Sequence, residues 1–432
     1  MADPDFRACA AAGAGVLQRW YDQSTGQWAS TGWWNAANAL TAVIRYSKLT
    51  GDSSHDGCIA ATFAATQRQH ANFINDYYDD NGWWALAWVA AFDLTRDSRY
   101  LDAARTIFAH NTGGWDGTCR GGLWWNTAKN YKNAITNELF LTLAALLHQR
   151  TPGDQSYLTW AERQWQWFSS SGLIGPSGLV NDGLTPACTN NGGTTWTYNQ
   201  GVILGGLAAL SEITGDRAFL QQGESIANAA LSRLVTPASA HPPGILVEPC
   251  ERAPGGCNGD QAQFKGIFVR YLSDFWRQGR QPAYRTFILA NARSVWDNNK
   301  NASHQFGLRW TGPFDQADAA RQSSALDGLN AAVALGLASS VRTRGRAIAS
   351  GPSLGVFPGQ LLERDLGWVP VLPACSPVLS AGAGSPGKGH RVNGRPAASQ
   401  RRDDSDQRAE YRAEQRVAEH LFRRRRPGCC RR

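Results

Sequence analysis

One turn signature recurs along the chain and limits what it can become. Thr95-Arg96-Asp97 precedes Tyr100-Leu101, Gly153-Asp154 precedes Tyr157-Leu158, and Thr214-Gly215-Asp216 precedes Phe219-Leu220; a degenerate copy opens at Thr50-Gly51-Asp52. Glycine or its neighbour stops one helix, the aspartate caps the next, and the aromatic three residues on anchors it. Each copy therefore joins two helices by a tight turn.

Upstream of these turns lie apolar helical segments at about 34–49, 83–95, 133–150 and 196–214, and two more of the same character at about 260–278 and 323–339. In the third, Ile135, Leu139, Leu143, Leu146 and Leu147 share one helical face. More polar helical segments at about 5–22, 55–75, 98–111, 155–170, 217–233 and 282–298 alternate with them. No segment offers a series of alternating strands. Six apolar inner helices ringed by six amphipathic outer ones predict an all-α fold, an (α/α)6 toroid of six helical hairpins over residues 1–340, with an open helical solenoid as the alternative closure.

Charge divides the chain at the same place. Of its 43 Lys and Arg and 35 Asp and Glu, residues 341–432 hold 18 and 8, so the main body is nearly neutral. That suits an uncharged polar substrate better than a phosphate backbone, and no nucleic-acid partner is expected for it. Residues 341–432, rich in Arg, Gly and Pro, read as a low-complexity, disordered tail. The nine cysteines contain no pairs at metal-ligand spacing, so neither a metal nor a cofactor is expected. Cys250 and Cys257 bracket a loop with Pro254, Gly255 and Gly256 that closes as a small disulfide in an exported protein and otherwise stays as two thiols; Cys9, Cys58, Cys119 and Cys188 have no partner that sequence assigns. No stretch reaches the length that spans a bilayer. The expected location is secreted or in the cell envelope, with the cytoplasm left open, and the expected state is a monomer.

The connections entering the inner segments are long and full of Trp, Asn, Gly and Asp: Thr31 to Asn35, Tyr77 to Trp84, Gly121 to Trp125, and Thr195 to Gln200. If the hairpins alternate direction, these loops gather at one mouth, where rings stack on sugar faces and amides bind hydroxyls. Asp79 and Asp80 lie in the second of them. Glycoside hydrolysis needs two carboxyl groups, about 5–5.5 Å apart for retention and about 6.5–9.5 Å for inversion. Adjacent residues in a loop ahead of a helix starting near Trp83 can reach the shorter class, and two like charges so close leave one acid protonated beside one ionised base. Such a stretch is also common as a solvated turn.

Asn75 to Trp84, Gly121 to Trp125 leading to Tyr131 through Glu138, Thr197 to Gly201, and Asp260 to Gly266 together resemble glycoside hydrolase family 76, in the family's order, over about residues 15–338. The resemblance implies the (α/α)6 fold, retaining cleavage of α-1,6-linked mannan, Asp79 as nucleophile and Asp80 as general acid/base. Trp33, Asn35, Tyr78, Trp83, Trp125, Lys132, Asn133, Tyr198, Gln200, Asp260 and Gln261 are candidates for contact with the substrate, Asp182 a further one; Asn137 and Lys265 match as well but serve equally as structural residues. The expected partner is an α-mannan polysaccharide or oligosaccharide. A transglycosylase acting on mannan-containing glycans and a non-catalytic glycan-binding protein are the rival readings. The Asp79–Asp80 pair counts against the second.

Overall fold

The computed structural model describes residues 4–349. Twelve α-helices run through them: α1 (Phe6–Leu17), α2 (Trp33–Thr50), α3 (Gly57–Gln69), α4 (Tyr78–Thr95), α5 (Ser98–Asn111), α6 (Ala134–Arg150), α7 (Ser156–Ser170), α8 (Thr197–Thr214), α9 (Ala218–Arg233), α10 (Phe264–Gly279), α11 (Pro282–Asn298) and α12 (Ala319–Ala349). A small antiparallel pair, β1 (Tyr21–Asp22) and β2 (Gln27–Trp28), lies between α1 and α2. Of the tail expected over 341–432, residues 350–432 lie outside the described residues.

The recurring turns work as their sequence predicts. Thr50, Thr95 and Thr214 each donate their hydroxyl to the carbonyl four residues back and accept from the amide of Asp52, Asp97 or Asp216. Those aspartates, and Asp154, in turn accept from the amide two residues on. Gly51 and Gly215 close their helices in the left-handed region, where glycine carries no steric penalty; Arg96 adopts the same conformation in the second turn.

The even-numbered helices α2, α4, α6, α8, α10 and α12 pack in that order, and α12 returns to α2. The ring closes, which excludes the open solenoid. Outside it α5 lies on α4, α7 on α6, α9 on α8 and α11 on α12, while α1 packs on α12 and α2. Burial follows this division. On α6 every residue from Ala134 to Ala145 is buried, whereas α7 buries only Ala161, Gln164, Trp167 and Phe168. A helix enclosed all round needs apolar residues all round, and one with a wet face does not.

The seam joining the ends of the ring is polar. From α10, Arg270 donates through Nε and Nη2 to Asp327 of α12 at 3.0 and 2.5 Å, and through Nη1 to Asn38 of α2 at 2.8 Å. Asn330 of α12 donates to the Ala42 carbonyl of α2 at 3.0 Å. Both members of the Arg270–Asp327 pair are buried, so each depends on the other for its charge to be tolerated.

One element starts earlier than its pattern predicts. Helix α4 begins at Tyr78 instead of near Trp83, so Asp79 and Asp80 sit inside its first turn and not in a loop. Its entry is fixed from elsewhere: the Tyr78 amide donates to the Trp125 carbonyl, and Asn81 exchanges hydrogen bonds with the Asn75 backbone. Carboxylates in a helix's first turn face its positive end.

Among the described residues two disulfides are formed, Cys250–Cys257 and Cys119–Cys188. The second, between the α5–α6 and α7–α8 connections, is not assignable from spacing, since 69 residues separate its halves. Cys9 and Cys58 are buried free thiols. Among the described residues no helix is long and apolar enough to cross a membrane.

Candidate active site

The N-terminal ends of the inner helices meet. Trp34 of α2 and Trp83 of α4 stack with centroids 5.6 Å apart, Trp83 stacks on Tyr198 of α8 at 6.4 Å, and Tyr198 on Phe264 of α10 at 3.8 Å. These rings come from residues up to 230 positions apart in sequence and share a centre because alternating hairpins bring the long connections to one mouth. Around them stand carboxyl groups.

Asp79 accepts from the indole Nε1 of Trp125 through Oδ2 at 2.9 Å, while its Oδ1 is buried without a hydrogen-bond partner. Burial pushes its carboxyl up from the ordinary 3.8 to about 7, against the opposing Trp125 bond and with a small contribution from Asp260. Asp80 accepts from the Asn75 side-chain amide at 2.7 Å. Successive helical residues project about 100° apart, so the two carboxyls neither oppose each other as on a strand nor overlap. One shielded carboxyl that holds a proton up to near neutrality, beside a second held by an amide donor, is a donor–acceptor pair for bond cleavage.

Of the other sequence-predicted positions, Trp33, Trp125, Asp182, Tyr198 and Asp260 are half-buried. Trp33 packs between His70 and Trp84 at 4.4 and 4.7 Å, toward the α2–α4 side. Asp260 accepts from the Trp34 Nε1 at 3.0 Å. Asp182 accepts from the Tyr131 hydroxyl, and burial raises its carboxyl. Tyr198 is raised well above the usual phenol range by burial first, then by the negative charges of Asp182, Asp79, Glu138 and Asp260.

The remaining positions are buried and their polar atoms face protein. Asn35 pairs with Gln263 across α2 and α10. The Tyr78 ring lies against Gly114 and His110, under α5. Trp83 is buried within the aromatic row. The Lys132 ammonium donates to Asp116 and to the carbonyls of Thr118, Gly121 and Gly122, clasping the α5–α6 loop. Asn133 caps α6 through the Thr136 amide. Gln200 pairs with the Val180 backbone, and Gln261 accepts from the Asn258 amide. Asn137 holds the Leu123 backbone, and Lys265 donates to Glu251 and the Leu308 carbonyl.

Three groups at the mouth-side ends of the inner helices are not singled out by sequence reasoning. Trp34 sits in a mouth loop beside the equally plausible Trp33, and only tertiary contact separates them. Asn75, the partner of Asp80, opens one of the stretches that carry the resemblance but receives no role from it. Glu138 is fully buried with both oxygens unpartnered, and its carboxyl is raised well above the usual range by burial and by Asp182. Its signal was available: it is the one ionisable residue in the run from Ala134 to Leu147.

Known proteins resemble this chain in sequence and fold. A Candida glabrata protein, mannan endo-1,6-alpha-mannosidase DCW1, is 32% identical over 311 residues, 64% of this chain and 66% of its own length. The Saccharomyces cerevisiae protein of the same name is 31% identical over the same shares. The chain thus spans just under two thirds of the length of these relatives. Among solved structures, an inactive variant of a Salegentibacter α-1,6-mannanase in complex with α-1,6-mannotetrose superposes with a TM-score of 0.68 at 23% identity, covering 77% of this chain and 100% of that one. The model of glycosyl hydrolase family 76 matches residues 8–344, the whole ring of helices with its mouth, and the chain belongs to that family.

Proposed function

We propose that the protein is an endo-acting hydrolase of α-1,6-linked mannan that retains anomeric configuration, with Asp79 as nucleophile and Asp80 as general acid/base. The observation that carries this reading is the carboxyl pair in the first turn of α4 at the mouth of the ring, one member shielded and Trp125-bound, the other amide-bound. The relatives' activity on mannan supports the substrate, and the half-buried rings of Trp34 and Trp125 offer it platforms. In the reaction Asp80 protonates the departing oxygen while Asp79 forms a glycosyl ester, which water, deprotonated by Asp80, then cleaves. Two disulfides support export, since they persist in oxidising compartments, and the protein is read as a secreted or envelope monomer.

The test is product release from linear α-1,6-mannan by the wild type, Asp79→Asn and Asp80→Asn, each checked for helical content. Short oligosaccharides from the wild type and a loss of roughly 10²–10⁴-fold in both variants are expected, with mannan binding kept. An inert wild type, or a fully active variant, removes the assignment. Adding an acceptor sugar separates hydrolysis from transglycosylation.

The raised carboxyl of Asp79 favours a second reading in which the roles are exchanged, because a group that holds its proton suits the acid. Azide rescue decides between them. A rescued nucleophile variant gives a glycosyl azide of inverted configuration, a rescued acid/base variant one of retained configuration.

A further inference from the structure

Trp125 grips the start of α4 at two successive residues. Its carbonyl accepts from the Tyr78 amide at 2.9 Å, and its indole Nε1 donates to Asp79 Oδ2 at 2.9 Å. The first contact stands in for a cap, since no side chain caps α4 at Tyr77. It is made by the backbone and survives a change of side chain. The ring also lies against Tyr77 with centroids 4.8 Å apart, a contact that a phenyl group would keep. What only the indole adds is the N–H on Asp79.

The loop holds that N–H in place from both sides. Ahead of it, the Leu123 backbone is bonded to the Asn137 side chain, and the Trp124 Nε1 donates to Asp116 at 2.7 Å. Behind it, Tyr77 and Asn126 form an antiparallel bridge, and the Thr127 amide donates to the Asp76 carbonyl. The Cys119–Cys188 disulfide ties this connection to the one between α7 and α8. The loop carries a cation too, but Lys132 is turned to Asp116 and three carbonyls.

The neighbouring pairs Trp124–Asp116 and Trp125–Asp79 show what that division does. Against burial, the Trp124 indole and the Lys132 ammonium hold Asp116 below its ordinary value. Asp79 has an indole without a cation, and burial raises it. A neutral donor lowers the cost of the ionised carboxyl without fixing it as ionised, which leaves the group able to take either state near neutrality. The other titratable groups of the mouth are Asp80 on the same helix, Glu138 on α6, Tyr198 on α8, and Asp182 and Asp260 on the connections ahead of α8 and α10. All are acids, and each disfavours an ionised Asp79 when it is ionised itself.

We propose that Trp125 is the positioning residue of Asp79: beyond the platform its ring offers, its indole N–H holds that carboxyl in one rotation and steadies its ionised form during cleavage. This rests on the reading of Asp79 and Asp80 as the catalytic pair. Loss of the N–H takes a donor from Asp79, so the carboxyl keeps its proton to higher pH. With Asp79 as nucleophile the acidic limb of the pH profile moves upward; with the roles exchanged the alkaline limb does.

The experiment compares wild type, Trp125→Phe and Trp125→His in kcat/KM on linear α-1,6-mannan across about pH 4–9, with melting temperatures. Phenylalanine keeps a ring and lacks the donor. Histidine loses the six-membered ring, while its five-membered ring can present an N–H where the indole Nε1 lies. In the same proteins the protonated carboxyl of Asp79 is titrated by infrared difference spectroscopy, its band identified by its loss in Asp79→Asn. Expected for Trp125→Phe are a limb and an infrared midpoint about one pH unit above wild type, the share of one hydrogen bond to a charged group. Its melting temperature stays within about 5 °C of wild type. Trp125→His keeps limb and midpoint at or below their wild-type positions. An unmoved limb or an unmoved midpoint in Trp125→Phe overturns the proposal, as does an equal shift in both variants, which assigns the effect to ring packing. A Trp125→Phe protein that melts below that range also overturns it, by assigning the indole to the fold. A wild type inert on mannan removes the catalytic reading, and with it the part in cleavage, while the infrared midpoint still reads the bond; a cleaving wild type with an unmoved Trp125→Phe removes this inference alone.

Discussion

Asp79 is worth most where it is least comfortable. Its carboxyl, raised by burial from 3.8 to about 7, lies above its unfolded value, so across that interval the folded protein holds a proton that the unfolded chain has released. The sign follows: this group's contribution is favourable below about pH 4 and is lost as pH rises toward 7, by on the order of a few kcal/mol. Asp79→Asn removes the ionisable group. We expect its melting temperature to gain on the wild type by several degrees between pH 4 and pH 8, measured by thermal unfolding at each pH. A constant difference across that range contradicts the assignment. At this scale the sequence was partly legible. The adjacent aspartates stood out because cleavage chemistry needs two carboxyls together, whereas Lys132 and Gln200 carry the same polar signal and spend it on loop carbonyls. Type and spacing do not reveal which way a side chain faces.

Helix boundaries were readable where the signal is local and lost where it is not. The Thr-Gly-Asp turns carry their own caps, and α5, predicted over 98–111, runs from Ser98 to Asn111. Helix α4 gains an extra turn because its entry is held by Trp125, 47 residues downstream of Tyr78, and no residue near Tyr77 announces that. Packing between helices is similarly hidden. A Cβ on Gly266 of α10 would stand 2.5 Å from the Cα and carbonyl oxygen of Ser324 on α12, so that pair of backbones approaches as only glycine permits. Gly266→Ala should destabilise the protein by roughly 1–3 kcal/mol by forcing the helices apart. Gly15→Ala on α1, where nothing lies within 4 Å, should stabilise by about 0.5–1 kcal/mol. Denaturant unfolding of the two variants measures both, and equal effects would mean that the α10–α12 approach is not tight.

Across the whole molecule the division into inner and outer helices was legible, since each segment's burial is written in its composition, while closure of the ring over the open solenoid came from α12 packing on α2. The seam was not, because Arg270, Asp327 and Asn38 lie in three segments that read as apolar, and a charge in such a segment is as easily a surface residue as a buried one. Removing one partner strands the other: Asp327→Asn should cost about 3–5 kcal/mol, while Arg270→Met with Asp327→Leu should cost far less, as double-mutant unfolding will measure. A double variant as unstable as the single one would show that the pair contributes more than mutual neutralisation.

The placement of α1 and α2 against α12 also sets the order in which the protein can be made. On the ribosome the first two helices emerge some 300 residues before the helix that covers them. Until it arrives the Ala42 carbonyl of α2 lacks its Asn330 donor and Gly13 of α1 has no Leu326 or Leu329 to face, so the early chain must wait, shielded by hairpin neighbours or by chaperones, and the mouth is assembled only after α12 has left the tunnel.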